Sequence, residues 1–150
     1  MTTLAGTQDT LEGLVTSLLN LENDAIEAYD AVIERLEDNT LSSKVSEFRQ
    51  DHHNHISALS EFAKTHGFEI PDGTAKSMLT SGKIVLADLF GDDTILKAMR
   101  TNEEDTVTAY ENALNQSVCR DELRTICTQA HEDEVRHREW MESASHRKAA

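Results

Sequence analysis

The chain has 150 residues, enough for one domain with a real core. It carries 28 Asp and Glu against 14 Lys and Arg, a net charge of −14. That balance excludes nucleic-acid backbone binding, which needs a basic patch, and fits a surface that attracts cations. No apolar run approaches the roughly 20 residues of a membrane span, and the first residues lack a basic-then-apolar leader. A cytoplasmic protein is expected.

One Pro and six Gly leave long helices nearly uninterrupted. A first helix is expected over about 9–37, with Asp9 and Glu12 at capping-box spacing. Its apolar stripe runs Leu11, Leu14, Leu18, Glu22, Ala25, Tyr29, Val32, Leu36, in steps of three and four that keep one face. Asp38, Asn39 and Thr40 form a short turn, so the next helix, about 41–66, is an antiparallel neighbour. Its stripe runs Leu41, Val45, Phe48, His52, His55, Leu59, Phe62, His66, and Gly67 with Pro71 beyond it ends the helix.

Residues 74–90 read as a crossover with a short fifth helix, carrying Met78, Leu79, Ile84, Val85 and Leu86 around Gly82. An Asp of the Gly91, Asp92, Asp93 run caps a helix over about 94–116. Its stripe is Leu96, Met99, Glu103, Thr106, Tyr110, Ala113. The last helix spans about 122–145, with the stripe Leu123, Cys127, Ala130, Glu134, His137, Met141, Ala144 and a basic end at His146, Arg147 and Lys148. The fold class is therefore all-α: a single domain over 1–150, an antiparallel four-helix bundle with a long crossover.

Each stripe is broken at one level by ionisable groups: Glu22, His52, His55, Glu103, Glu134 and His137. Unpaired charges in such a core cost several kcal/mol in order of magnitude. Carboxylates converging with imidazoles suit iron, manganese or zinc, and six ligands are more than one tetrahedral ion needs. A metal-free network of Glu–His pairs is the competing reading.

The halves also repeat. Glu22 is followed seven residues on by Tyr29, and Glu103 by Tyr110, each Tyr preceded by Ala; His55 and His137 follow at nearly equal intervals. Off the stripes, His53, His131, Glu27 and Glu104 are expected to face solvent, with His131 alternatively an outer group approaching the site. Asp51 lies about 100° around the helix from His52, so it does not supply a ligand. Cys127 is a small buried hydrophobe, and with Cys119 it makes no disulfide framework. Trp140 packs at the bundle edge or at a subunit contact.

These residues resemble the ferritin-like di-iron carboxylate superfamily, including its rubrerythrin and bacterioferritin branches, over about 9–146. That superfamily places one Glu on each of two helices and Glu-x-x-His on the other two. Glu22 and Glu103 match the single positions, Glu134 and His137 one full motif, and His55 the second His. The crossover and C-terminal wording also resemble a bacterial ferritin-like group of unassigned function. The resemblance implies two irons per chain, with manganese or zinc as substitutes, and Tyr29 and Tyr110 behind the ligands. It implies a ferroxidase or an oxygen- or peroxide-reacting oxidoreductase of stress response, and an external electron donor because no rubredoxin-like Cys-x-x-Cys is present. Separately from the resemblance, a homodimer through an outer helix face is expected. His52 departs from the pattern, which has Glu there. The departure opens an asymmetric pair of ions, a single ion, a non-catalytic metal-binding or metal-sensing bundle, or a structural bundle with a degenerate site.

Overall fold

A computed structural model describes residues 3–72 and 89–149. Four helices form an all-α bundle: α1 (Leu11–Arg35), α2 (Asn39–Thr65), α3 (Asp92–Leu114) and α4 (Asp121–Ala149). The expected short helix within 74–90 falls outside the described residues, save Leu89 and Phe90, which are not helical. No helix among the described residues is long and apolar enough to cross a membrane.

The helix ends differ from expectation by one to four residues, for capping reasons. Thr10, not Asp9, caps α1, its hydroxyl accepting from the Gly13 N–H at 3.2 Å. Asp38 caps α2 by accepting from Thr40 and Leu41 at 2.8 and 3.2 Å, so the expected turn residues Asn39 and Thr40 are already helical. No aspartate caps α3. The α3 N-cap is Gly91, at φ +90°, and Asp92 reaches away to accept from the backbone N–H groups of Glu37 and Asp38 at 2.9 and 3.0 Å. Those two bonds set the topology. They pin the start of α3 to the α1–α2 turn. α3 then runs antiparallel to α1 and parallel to α2, and α4 reverses again. The packed pairs are α1 with α2 and α3, and α4 with α2 and α3.

The apolar stripes bury as two clusters. One, near the chain start, includes Leu14, Leu18, Leu21, Leu59, Phe62, Ala113, Leu123 and Cys127. The other includes Val32, Val45, Phe48, Ile95, Leu96, Met99 and Met141, with Trp140 edge-on to Phe48 at 5.4 Å. Both cysteines are buried free thiols. The ionisable layer lies between the clusters.

The N-terminal segment is fastened across α3. Asn112 donates to the Ala5 carbonyl at 3.2 Å, and Gly6 sits at φ +83°. A Cβ at Gly6 would stand 2.0 Å from the Ala109 carbonyl oxygen. Gly6→Ala is therefore expected to cost about 3 kcal/mol, combining a left-handed backbone with a backbone clash. Thermal unfolding should report a drop of roughly 6–12 °C; an unchanged midpoint would mean that this segment is not docked in solution.

Candidate metal centre

All six expected ligands are buried: Glu22, His52, Glu134 and His137 at 0 %, Glu103 at 1 % and His55 at 5 % relative exposure. They gather into two groups whose ligand atoms lie within 4.8 Å of one another: Glu22, His52, His55 and Glu134; and His52, Glu103, Glu134 and His137. His52 and Glu134 belong to both.

Glu134 is divided between the groups by its two oxygens. Oε1 lies 3.4 Å from His52 Nδ1 and 3.6 Å from His55 Nδ1. Oε2 lies 3.5 Å from His137 Nδ1 and accepts from the Thr106 hydroxyl at 2.8 Å. Glu22 is held by His52 Nδ1 at 2.7 Å and His55 Nδ1 at 3.2 Å. Glu103 Oε2 lies 3.5 Å from His137 Nδ1.

The tyrosines cross between the halves. Tyr110 donates to Glu22 at 2.6 Å, and Tyr29 donates to Glu103. Burial, then the facing carboxylate, raises both phenols well above their ordinary range, so they remain donors. Each Tyr thus orients the carboxylate of the opposite half.

The two terminal histidines turn Nδ1 inward and Nε2 outward. His55 Nε2 meets Asp133 at 2.8 Å, and His137 Nε2 meets Asp51 at 2.8 Å. Arg136 binds both aspartates, at 2.8 Å to Asp51 and 3.1 Å to Asp133. A carboxylate behind an imidazole fixes its tautomer and leaves the inner nitrogen free to ligate. Sequence reading missed this layer. Its one signal was register: Asp51 precedes His52 as Asp133 precedes Glu134, so both aspartates fall on the same off-stripe position of paired helices. Asp51 belongs to neither group. His53, Glu27 and Glu104 are exposed, and His131 reaches Glu111 at 3.3 Å, outside the layer.

Charge within the layer is arranged in opposing pairs. Burial alone would raise Glu22 and Glu103; the His52 and His55 charges reverse this for Glu22, and hydrogen bonds involving Glu134, His137 and His52 do so for Glu103. Burial would lower the imidazoles, but the carboxylates raise His55 to about 9 and His137 to about 10. Burial pushes Glu134 up to about 7; the His52 charge opposes this and the Glu103 carboxylate reinforces it.

Two atoms test whether Glu–His pairing alone accounts for the layer. His52 Nε2 and Glu134 Oε1 are buried and have no hydrogen-bond partner. Orphaned buried polar atoms are rare and costly, and these two face the two groups. A mixed carboxylate–imidazole donor set with such atoms fits a metal ion of the first transition row or zinc.

Fold and site together define an all-α four-helix bundle with buried His/Glu groups that could hold metal. The chain belongs to the family described as a domain of unknown function, DUF2383, whose family model matches residues 10–116. The match takes in α1 to α3, and with them Glu22, His52, His55 and Glu103; Glu134 and His137 lie beyond it. Neither curated proteins nor solved structures gave a match.

Proposed function

We infer that the chain is a ferritin-like protein whose single domain binds two metal ions, iron foremost and manganese or zinc as substitutes. Glu22, His52, His55, Glu103, Glu134 and His137 are its ligands, and Tyr29 and Tyr110 orient two of the carboxylates. The observation that carries this reading is the division of Glu134, with one oxygen toward each ligand group. A single closed site would not need a shared carboxylate between two terminal histidines.

Iron held there would supply one-electron redox chemistry toward oxygen or peroxide. The chain's own residues would do the rest. The carboxylates bind and neutralise the ions, Asp51 and Asp133 hold the imidazoles in a ligating tautomer, and the apolar clusters on either side exclude water. The reaction is ferroxidase or peroxide-consuming chemistry in oxidative stress, with electrons from an external donor, in a cytoplasmic homodimer. A non-catalytic metal-binding bundle is the second reading. It is favoured by the first group, which already offers four protein ligands, the number a closed structural site uses.

Metal content after purification, then anaerobic Fe(II) loading and exposure to air, separates these readings. Two irons per chain and a new near-ultraviolet absorption on oxidation are expected. Stoichiometric metal without spectral change would favour the non-catalytic bundle; no uptake would sink both. His52→Glu, which supplies a fourth carboxylate, should speed iron oxidation. An unchanged rate would place His52 outside the centre.

A further inference from the structure

We propose that His52 is a bridge in its own right: an imidazolate that joins the two metal positions through its two ring nitrogens. The inference rests on the two-metal reading above and specifies how its odd ligand works.

The ring stands between the terminal histidines, its centroid 5.6 Å from that of His55 and 5.3 Å from that of His137. Its nitrogens face different groups. Nδ1 points at the first, 2.7 Å from Glu22 and 3.4 Å from Glu134 Oε1. Nε2 points at the second, 3.9 Å from Glu103 Oε1, fully buried and without a hydrogen bond. Glu134, the residue at the equivalent register of the other half, splits its two oxygens the same way. The two shared residues therefore occupy equivalent places, and each presents one donor atom to each side.

Bridging through both nitrogens requires the ring to give up its N–H proton. The bound cations make the deprotonation accessible, as they do for coordinated thiols and water. The step is balanced: the neutral ring loses its one N–H proton to solvent, two metal–nitrogen bonds form, and no electron moves. A five-membered ring also holds its two metals farther apart than the three atoms of a carboxylate do.

Cu(II), which takes imidazole ligands readily, is the probe. Protein loaded with two Cu(II) per chain should show an electron paramagnetic resonance signal several-fold below two independent spins, because the bridge couples them. In His52→Gln with two Cu(II) bound, the signal should rise to that of coupling through Glu134 alone. Two bound coppers with full, independent spin intensity in the wild type would overturn the bridge while leaving two-metal binding intact. Coupling unchanged in the Gln variant would overturn it as well. Failure of the wild type to take up two ions would overturn the two-metal reading and the bridge with it. Should the Gln variant not fold or not hold two ions, X-ray absorption of the two-copper wild type decides. A short copper–copper vector of the carboxylate-only kind would overturn the bridge; a longer one, with two imidazole nitrogens at each ion, would support it.

Discussion

On the proposed two-ion reading, Glu134→Ala should abolish the binding of both ions. Glu134 is the one carboxylate offered to both ligand groups, and it is completely buried. Removing it takes an oxygen from each position at once and leaves His52, His55 and His137 facing two carboxylates instead of three. Partners standing behind a ligand are commonly worth 10- to 100-fold in affinity, so loss of a shared ligand should weaken each position by about 100-fold or more. Measured as bound metal after dialysis against micromolar free ion, the expected change is from two ions per chain to fewer than one. Glu139→Ala, an exposed position on the same helix, should retain both. Circular dichroism separates ligand loss from unfolding, since the apolar clusters that hold α4 are untouched. Two ions retained at unchanged affinity in Glu134→Ala would remove the central residue from the proposed site.

Metal affinity should rise steeply with pH. In the metal-free layer, neighbouring carboxylates hold His55 up to about 9 and His137 up to about 10 against the opposing effect of burial. Around neutral pH both imidazoles therefore carry a proton that an incoming ion must displace. Each displaced proton changes apparent affinity about tenfold per pH unit, so these two contribute roughly 100-fold per unit up to pH 9, on top of the proton that a bridging His52 releases. Between 9 and 10 only His137 of the pair still yields one, and their contribution should fall to about tenfold. Below about 7, Glu134 also holds a proton, and the dependence steepens further. Chelator competition at several pH values measures this, and a flat profile would rule out these histidines as ligands.

The metal-free protein should respond in the opposite sense. For His55 and His137 the folded-state values lie above the ordinary 6.5, so their stabilisation is complete below about 6.5 and is lost as pH rises through 9 to 10. Glu22 and Glu103 are depressed, so theirs is present above the ordinary 4.5 and is lost only in acid. Thermal unfolding of the metal-free chain should weaken in alkali, in the range where metal binding is tightening.

The sequence by itself determined the four helices, their inward faces, and the six residues of the polar layer. These are local properties: a stripe stepping by threes and fours dictates which side chains share a face, and burial of the apolar members carries the ionisable ones inward. Helix ends were less legible, because the choice between Asp9 and Thr10, or between Asp92 and Gly91, turns on which atom reaches a free N–H. The tertiary structure alone decided who meets whom. It pinned Asp92 to the α1–α2 turn, sent each Tyr to the other half's Glu, and brought Asp51 and Asp133 behind histidines of a facing helix. It also turned the two nitrogens of His52 toward different ligand groups. Such contacts depend on the rotation and height of one helix against another. Those are set by packing between residues far apart in the chain, and no spacing along a single helix encodes them.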